Sequence, residues 1–425
     1  MGRSLQVGPE LLSGVTMACG IASANVVESV TGRGWSERFD RDGVELRVLV
    51  VQAGLMPTQM APWHGATRHG IDLHLACAPF DDFGRIPEVE PPDPIIVHQL
   101  DPLRLRRGQT WWVYPGLGRL IQELRPDLVH VATEAYGLFF SQMDFHRYPV
   151  TAHIADNIWS FGPRLERAVR LRRASRILRR LSGLASWNQA GLDLARTFGL
   201  RDGIPTLVAP SRLSASEPFE LAASDRSRHR QALGLESGCI VGFVGRLSPE
   251  KGLGWLIESF AASERLERSR LVVFGSGPME DQWRGLAGRL GLDVTFAGAV
   301  PPEDVPGVLT ALDILVVPSV VLPDKAEQFS RIAVEAMFSG TPVIASRSGA
   351  IPEVVGDGAQ LVAEGSRPEL TDALDLLIDN EDLRLALGRK GQAFAMARYS
   401  ADVLGANLAD FWRRSSTAVQ RNRDD

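Results

Sequence analysis

Short runs of β-branched and other apolar residues alternate along this chain with longer segments whose apolar residues recur at helical spacing. Such alternation is typical of parallel strands joined by crossover helices. The runs fall into two sets, and each set predicts one open α/β domain. The first set comprises 46–52, 71–78, 128–132, 150–154, 184–187 and 206–210. The second set comprises 239–245, 271–277, 294–298, 314–319, 342–346 and 359–363.

A polar stretch between the two sets predicts where one domain ends and the next begins. Residues 211–238 are rich in serine and charged side chains, which suits a connection that leads into one short helix. A last apolar pattern, 399–415, has helical spacing and predicts a helix that packs back on the body. The predicted organisation is an N-terminal extension of uncertain order (1–44), a first α/β domain (45–210), a linker (211–238), a second α/β domain (239–397) and a C-terminal crossover helix with its tail (398–425).

The charge and the cysteines of the chain narrow the function classes. With 46 basic and 51 acidic residues the formal net charge is −5, which offers no global attraction to nucleic acid or to an anionic membrane. Cys77 and Cys239 fall within apolar runs, so the three cysteines indicate no disulfide framework. The N-terminal residues lack a secretory signal pattern, and no apolar run reaches the roughly 18 residues of a membrane helix. We expect a soluble protein of a reducing cytoplasm.

Lysine is rare in this chain, which contains only Lys251, Lys325 and Lys390. Lys251 lies with Arg246 in GRLSPEKGL (245–253), a predicted turn between a buried strand and a helix. Arginine can bind an oxyanion through two parallel hydrogen bonds, and lysine supplies a compact charge. The pair therefore indicates a diphosphate site, with two surface cations in a turn as the alternative that the local pattern also allows.

Two glutamates, Glu327 and Glu335, stand eight positions apart across the start of a predicted helix. Ser330 between them can cap that helix, and free amides at residues 330–332 would present partial positive charge to a phosphate. If Glu327 lies in the loop and Glu335 about a turn and a half inside the helix, both carboxylates can face one cleft. One could hold a ribose diol while the other contacts a sugar. The alternative is the commonest fate of glutamates, a solvent-facing Glu335 and a loop Glu327.

Two further sets of residues at strand ends are candidates for the same cleft. Gly275 and Gly277 in FGSGP (274–278) allow positive φ and close approach of the backbone to a ligand, although an ordinary strand-to-helix turn has the same pattern. His153 ends the run VTAHI, from which its ring would project toward the cleft between the domains; a structural histidine is the alternative. No spacing of His, Cys or carboxylates indicates a metal site, and no Gly-x-Ser-x-Gly elbow indicates a serine hydrolase.

The segment 164–183 combines many arginines with a helical pattern. Its eight arginines are predicted to lie on one side of the helix. The opposite, apolar side would include Leu165, Ala168, Leu171, Ala174, Leu178 and Leu181. Such a helix could contact anionic lipid or an acidic acceptor, and a weak peripheral membrane contact through 164–180 is one expectation. A solvated face on a packed helix is the other.

Five stretches of the second half, in their order along the chain, resemble the donor-binding half of retaining GT-B glycosyltransferases of glycosyltransferase family 4. They are VGRLSPEKGL, VVFGSGPMEDQW, VTFAGAVPPEDVPGVLTALDILVVPS, EQFSRIAVEAMFSGTPVIASRSGAIPEVV and GQAFAMARYS, within 239–415. The first half is similar to the family more faintly, through RPDLVHVATEAYG, PVTAHIAD and the helix before LASWNQAGLDLARTFGL. The resemblance implies an α/β protein of GT-B architecture. Two Rossmann-like domains would face a central cleft, the first on the acceptor side, with the C-terminal helix packed back on the first domain.

The resemblance also implies roles for individual residues. Arg246 and Lys251 match the family's pair on the donor diphosphate. Glu335 matches the glutamate that holds the ribose hydroxyls, and Glu327 matches the one beside the transferred sugar. His153 matches the first-domain histidine that contacts the donor sugar, and the backbone at Gly298–Val300 matches the segment that lines the base. The candidate catalytic residues are therefore His153, Glu327, Arg246 and Lys251. The candidate donor-binding residues are Glu335, Gln328, Phe329, Ser330, Arg331, Ile332, Gly275, Gly277 and Val300.

The chain departs from the family pattern in two places. Glu327-Gln328-Phe329-Ser330 stands where the family commonly has Glu-Gly-Phe-Gly, and Gln328 could add a side-chain contact to the sugar. The first loop, QAGLMPTQMAPWHGA (52–66), replaces a glycine-rich one and leaves the acceptor open.

By the resemblance, the chain is expected to transfer a sugar from a nucleotide-diphosphate sugar to an acceptor hydroxyl with retained configuration. No metal or other cofactor and no nucleic acid partner is expected. The acceptor could be a small natural product, a lipid or a glycan. The alternatives are a protein that binds the nucleotide sugar without transfer, one that couples a non-sugar donor, and a sugar-nucleotide epimerase of the same fold.

Overall fold

The computed structural model describes residues 45–56, 60–80, 93–105, 109–157, 164–235 and 237–424. These residues belong to one compact unit. The predicted N-terminal extension, 1–44, lies outside the described residues.

Nine strands precede the polar stretch in the described part of the chain. They are β1 (Leu46–Val51), β2 (Ile71–Cys77), β3 (Ile96–Gln99), β4 (Leu103–Arg104), β5 (Trp112–Val113), β6 (Leu128–Val131), β7 (Val150–Ile154), β8 (Gly183–Ser186) and β9 (Thr206–Val208). Seven of them form a parallel sheet in the order β3-β2-β1-β6-β7-β8-β9, and β4 pairs with β5 as a separate antiparallel ribbon. The helices of this half are α1 (Ala61–Thr67), α2 (Leu117–Leu124), α3 (Arg164–Leu178) and α4 (Gln189–Thr197).

The second half contains a parallel sheet of six strands within the described residues. They are β10 (Cys239–Val244), β11 (Ser269–Phe274), β12 (Val294–Gly298), β13 (Ile314–Val317), β14 (Val343–Ser346) and β15 (Gln360–Val362). Their order is β12-β11-β10-β13-β14-β15. The chain therefore builds outward from β10 in one direction and then returns to its other side with β13. In open parallel sheets, ligands bind in the crevice beyond the carboxyl ends of the strands at such a switch point.

Helices cover both faces of the second sheet and end the chain. They are α7 (Leu253–Ala261), α8 (Glu280–Arg289), α9 (Val305–Ala311), α10 (Arg331–Phe338), α11 (Ile351–Val355), α12 (Arg367–Asp379), α13 (Glu381–Tyr399) and α14 (Ala401–Asp424). The central strands β10, β13 and β14 are buried almost throughout, which explains their continuous apolar runs. Each of the twelve predicted runs overlaps one strand. The strands that the prediction missed, β3 to β5, have two to four residues each, so they lack a long apolar run.

The polar stretch 211–238 contains two helices rather than the one predicted. They are α5 (Glu217–Ala223) and α6 (Arg226–Ala232), and both pack against α9 of the second half. Phe219 on α5 is 2% exposed within the apolar core that Leu309 of α9 also joins. The prediction of one short helix was wrong because a single buried aromatic residue gives too weak a periodic signal.

The C-terminal helix packs back on the first half, as predicted. α14 lies against α1, and the indole rings of Trp412 and Trp63 stack with centroids 6.0 Å apart. A Cβ atom on Gly65 would lie 1.7 Å from the carbonyl oxygen of Ala401, and one on Gly405 would lie 2.0 Å from the carbonyl carbon of Gly65. The two helices therefore touch backbone to backbone, and this contact ties the end of the chain to the first sheet.

The arginine-rich helix α3 differs from its prediction. Ala174, Ile177 and Leu178 are buried, but Leu165 on the supposed apolar side is 79% exposed. The arginines lie on more than one side, because Arg170 approaches the ring of Tyr136 on the body of the protein. The predicted one-sided arrangement was wrong because only the second half of α3 packs on the core.

Candidate active site

A cavity of about 390 Å³ lies at the carboxyl ends of the strands and is lined from both halves of the chain. Its lining residues are Asp156, Asn157, Glu250, Lys251, Asp324, Lys325, Ala326, Glu327 and Gln328. Asp156 and Asn157 follow β7 of the first sheet, and the others belong to the loops after β10 and β13. Two of the three lysines of the chain line this one cavity.

Lys251 reaches the cavity from the turn that follows β10. The next residue, Gly252, has φ +67°, and a Cβ atom there would lie 1.9 Å from the carbonyl oxygen of Pro318. This close approach seats the turn against the end of β13. The Nζ atom of Lys251 then lies 2.6 Å from Oε2 of Glu327. Two candidate residues from separate loops are thus brought into direct contact.

The carboxylate of Glu327 accepts hydrogen bonds from three groups. Besides the ammonium of Lys251, the Ser319 hydroxyl donates to Oε2 at 3.1 Å and the backbone N–H of Ser330 donates to Oε1 at 3.4 Å. Ser319, at the end of β13, is 1% exposed and was not singled out from the sequence. These groups form an anion site that a carboxylate of the chain itself fills.

Arg246 lies in the same turn, and its exposed side chain makes no hydrogen bond or ion pair within the described part of the chain. Two glycines hold this turn in place. Gly275 has φ +140°, and a Cβ atom there would lie 1.8 Å from the carbonyl oxygen of Gly245; a Cβ atom on Gly277 would lie 2.4 Å from that of Leu247. The close approach predicted for Gly275 and Gly277 is therefore toward the chain's own backbone, and Gly277 does not have positive φ.

Glu335 projects from α10 and is 8% exposed, which excludes the solvent-facing alternative. Its Oε1 atom accepts a hydrogen bond from the Ser214 hydroxyl at 2.7 Å. Burial raises the pKa of Glu335, while Arg331 and the Ser214 hydroxyl act in the opposite direction. Ser214 belongs to the polar stretch before α5 and was not predicted as a site residue.

Ser330 occupies the N-cap position of α10 but does not cap the helix. Its φ is +49°, its hydroxyl is buried without a hydrogen-bond partner, and no side-chain cap bond forms. The predicted cap was wrong because a capping serine has extended backbone angles, which point its oxygen at the amides of the first turn. The first-turn amides of α10 at 331 and 332 consequently have neither an intrahelical partner nor a serine cap.

The two residues before Ser330 contact the first half of the chain. Gln328 donates from Nε2 to Oδ1 of Asp156 at 2.6 Å, and its carbonyl oxygen accepts from Asn188 at 2.9 Å. Phe329 is 2% exposed and packs edge-on against Trp187 of the first half. Both side chains thus contact the first half, and Gln328 also lines the cavity. Farther along, Arg331, Ile332 and Val300 are partly exposed.

Asp156 is a partly buried carboxylate in the cavity wall that was not singled out from the sequence. The Tyr136 hydroxyl donates to its Oδ2 at 3.1 Å, and Glu134 accepts the backbone N–H of Asp156 at 3.0 Å. Burial raises the pKa of Asp156, against the lowering effect of the hydrogen bonds from Tyr136 and Gln328. Asn157 crosses the cavity to donate to the carbonyl oxygen of Glu327 at 3.1 Å.

His153 does not project into the cavity. Its ring is 2% exposed, and Nε2 lies 2.7 Å from the carbonyl oxygen of Ala209, to which it must donate. Nδ1 therefore accepts from Nε2 of His130 at 3.4 Å, and Trp63 contacts the ring edge-on. Burial lowers the pKa of His153 to about 4, so the ring is neutral at pH 7. The prediction that His153 reaches the cleft was wrong because its side of β7 faces the aromatic contacts with α1 and α14.

The described part of the chain contains neither a metal cluster nor a membrane-spanning helix. No group of three or more His, Cys, Asp or Glu residues could hold a metal ion there. No helix among those residues is long and apolar enough to span a membrane. Cys77 and Cys239 are free and buried, and burial raises the pKa of each thiol to about 12.

Comparison with known proteins gives one family match and several relatives. The family model described as "Glycosyl transferases group 1" matches residues 225–394. The 2-deoxystreptamine glucosyltransferase of Streptomyces kanamyceticus is 31% identical over 71% of this chain and 73% of its own length. The D-inositol 3-phosphate glycosyltransferase of Corynebacterium efficiens is 35% identical over 53% of this chain, which spans 54% of that relative's length.

Solved structures share the fold at low sequence identity. Anabaena HepE in complex with UDP and glucose has a TM-score of 0.64 and 22% identity, covering 87% of this chain and 100% of its own. Sucrose-phosphate synthase from Thermosynechococcus elongatus has a TM-score of 0.67 and 17% identity, covering 88% of this chain and 100% of its own. The expected α/β architecture with two Rossmann-like halves is thereby confirmed.

Proposed function

This chain belongs to the group 1 glycosyl transferases, and on that premise we propose that it transfers a sugar from a nucleotide-diphosphate sugar to an acceptor hydroxyl. The observation that carries the proposal is the contact between Lys251 and Glu327 at the switch point of the second sheet. Open parallel sheets bind nucleotides at this place. The ammonium of Lys251, the Ser319 hydroxyl and the backbone N–H of Ser330 converge there on the carboxylate of Glu327, which supports an anion-binding role for this place.

The donor diphosphate would replace the protein's own carboxylate as the partner of the cationic groups in the cavity. Lys251 would exchange the carboxylate of Glu327 for a phosphate oxygen, and the exposed Arg246 would bind the same diphosphate through parallel hydrogen bonds. The free amides at 331 and 332 would add partial positive charge from the start of α10. Glu335 would accept from the ribose hydroxyls in the manner in which it now accepts from Ser214.

Transfer would proceed on one face of the sugar. The bond between the anomeric carbon and the diphosphate oxygen breaks, and the electron pair leaves with the phosphate. The acceptor oxygen forms its new bond on the side that the phosphate vacates, and its proton passes to the departing phosphate oxygen. Configuration is then retained. Because Arg246, Lys251 and the helix amides supply positive charge to the leaving group, we propose that the reaction needs no metal.

The charge of the cavity favours an acceptor with amino groups. Four acidic residues line it (Asp156, Glu250, Asp324 and Glu327) against two lysines, an excess of two carboxyl groups. The name of the Streptomyces relative, 31% identical to this chain, gives 2-deoxystreptamine as what it acts on. A small, polyhydroxylated ring that carries amines is therefore the acceptor class that we propose.

The test is a transfer assay with defined donors and acceptors. UDP-, GDP- and ADP-glucose would each be incubated with the protein and 2-deoxystreptamine, myo-inositol or myo-inositol 3-phosphate. We expect one donor to give a glycosylated product with 2-deoxystreptamine in preference to the neutral and anionic rings, and NMR of the product to show the α-anomer that the donor had. A β-linked product would contradict retention, and preference for the phosphate would contradict the acceptor class.

Incubation of each donor alone separates the competing functions. Release of free glucose would support a transferase that uses water slowly, and a new epimer signal would indicate an epimerase. Donor binding by calorimetry without any turnover, over the whole acceptor set, would favour a protein that binds the nucleotide sugar without transfer. A chain that binds none of the three donors would point to a non-sugar donor.

A further inference from the structure

Helix α3 carries a line of side chains that face away from the protein. Leu165, Val169, Arg172 and Arg176 follow one another at spacings of four, three and four residues, which place them on one side of a helix. Leu165 is 79% exposed and Val169 is 52% exposed, and both arginines are exposed. We call these four residues the outer stripe of α3.

The outer stripe lies opposite the side of α3 that packs on the protein. Ala174, Ile177 and Leu178 are buried on the inner side. The single acidic residue of the helix, Glu166, also lies toward the inner side, where it pairs with Arg170 at 2.6 Å. No negative charge of α3 therefore neutralises the outer stripe.

The charge of this region is opposite to that of the whole chain. Between residues 164 and 180 there are eight arginines and one glutamate, a net charge of +7, whereas the chain as a whole carries −5. Clustered arginines repel one another, which costs stability, and they attract a negatively charged partner. A helix face that only contacts water does not require such a cluster.

The exposed leucine and valine decide between kinds of anionic partner. A nucleic acid backbone would use the arginines but offers nothing to aliphatic side chains, and binders of single strands rely on aromatic ones. A bilayer surface uses both, since phosphate groups pair with arginine while aliphatic side chains enter the boundary between headgroups and acyl chains. From this combination we propose that the outer stripe of α3 is a docking surface for an anionic lipid bilayer.

Docking would occur near the cavity wall that the first half of the chain supplies. Arg170 on the inner side of α3 lies 5.4 Å from the ring of Tyr136, and the hydroxyl of Tyr136 donates to Asp156 in the cavity wall. Binding to the bilayer should be reversible, because two aliphatic side chains bury little apolar area. Binding should depend on salt, and each arginine near the surface should strengthen it roughly fivefold.

The experiment is co-sedimentation of the purified full chain with vesicles of phosphatidylcholine alone or with about a third of phosphatidylglycerol, in which the anionic fraction supplies the surface charge. The test variants are Arg172→Ser/Arg176→Ser and Leu165→Ser/Val169→Ser. The matched control is Arg289→Ser/Arg389→Ser, which removes two exposed arginines from α8 and α13 and gives the same net charge of −7 (−5 − 2).

We expect binding only to vesicles with phosphatidylglycerol, and its loss at about 1 M salt, where the screening length falls to about 3 Å. The arginine variant should bind about 25-fold more weakly, the aliphatic variant should also bind more weakly, and the control should bind as wild type does. Equal melting temperatures would show that all three fold, as substitutions at exposed positions allow.

Two results would overturn the proposal: no sedimentation of wild type with anionic vesicles, or sedimentation that the arginine variant leaves unchanged. Binding to poly-uridylate that depends on Arg172 and Arg176, without vesicle binding, would overturn it in favour of nucleic acid. The proposal goes beyond sugar transfer and does not depend on it, so a failed transfer assay leaves the vesicle result to be read independently.

Discussion

The ammonium group of Lys251 lies 2.6 Å from Oε2 of Glu327, so these two residues of the proposed donor site neutralise each other's charge. The pair is largely shielded, with side-chain exposures of 30% and 13%. Removal of either partner leaves a partly buried charge, whereas a phosphate that replaces the carboxylate leaves Lys251 paired. The contact therefore positions Lys251, while a phosphate can still replace Glu327 as its partner.

Lys251→Ala should impair transfer far more than it impairs folding. Loss of one well-placed donor to a leaving group costs roughly 3 kcal/mol, which corresponds to a rate about 100-fold lower. Lys390→Ala is the matched control, since Lys390 is 54% exposed and pairs with Asp357 at the surface. Steady-state kinetics with the donor that the transfer assay selects would measure both variants. Equal turnover of Lys251→Ala and Lys390→Ala would contradict the proposed role.

Glu335→Gln should raise the stability of the protein at pH 7 while it weakens nucleotide binding. Burial raises the pKa of Glu335, so the folded chain holds its proton more tightly than the unfolded chain. Its ionised form then costs stability as pH rises above the unfolded value of about 4.3. The glutamine variant, which can still accept from Ser214, should melt higher than wild type at pH 7, and the gap should close toward pH 4.

The same variant should bind nucleoside diphosphate about tenfold more weakly, because a hydrogen bond to a charged acceptor is replaced by one to a neutral acceptor. Calorimetry with UDP, GDP and ADP would measure this. Unchanged affinity for the nucleotide that wild type binds would remove Glu335 from the ribose site.

The sequence was sufficient for the architecture because the signals are local. The central strands of the second sheet are short apolar runs, and the twelve predicted runs needed no knowledge of their neighbours. The turn at Gly245 and the loop that contains Glu327 could be placed for the same reason, since each begins where such a run ends.

The fine structure of the site depends on contacts between distant segments, which no local pattern reveals. Ser214 meets Glu335 across 121 positions, and Gln328 meets Asp156 across 172. The orientation of His153 was missed for a related reason. A strand residue at the carboxyl end can face either side of its sheet, and only the packing of Trp63 and Trp412 shows which side is covered.

Ser330→Gly should stabilise the protein. A serine at φ +49° is strained, and its buried hydroxyl lacks a partner. Glycine removes both penalties, for a gain of about 1 kcal/mol after its larger loss of backbone entropy. Ser330→Ala removes only the hydroxyl and keeps the strain, so it should gain less. Urea unfolding would rank the three chains, and a glycine variant less stable than wild type would mean that the hydroxyl has a partner in solution.

Gln328→Glu should weaken the link between the halves in a manner that depends on pH. The substitution places a second carboxyl group against Oδ1 of Asp156, which Gln328 now approaches at 2.6 Å. Two adjacent carboxylates cannot both ionise without cost, so one should keep its proton. The variant should therefore lose stability at pH 8 and recover much of it at pH 5. Gln328→Ala lacks the repulsion and should show a smaller loss without recovery.

His153→Gln tests whether the buried histidine makes the fold sensitive to acid. Burial lowers the pKa of His153 from 6.5 to about 4. Between pH 6.5 and pH 4, the unfolded chain therefore binds a proton at this residue and the folded chain does not. Stability must then fall as pH drops through this window, by up to about 3 kcal/mol in total for a fully buried group. Glutamine can still donate to the carbonyl of Ala209 but cannot titrate. The difference in unfolding free energy between wild type and variant should be constant above pH 7 and shrink steadily toward pH 4. A constant difference throughout would place the ring in contact with solvent, and His153 would return as a candidate for the cleft.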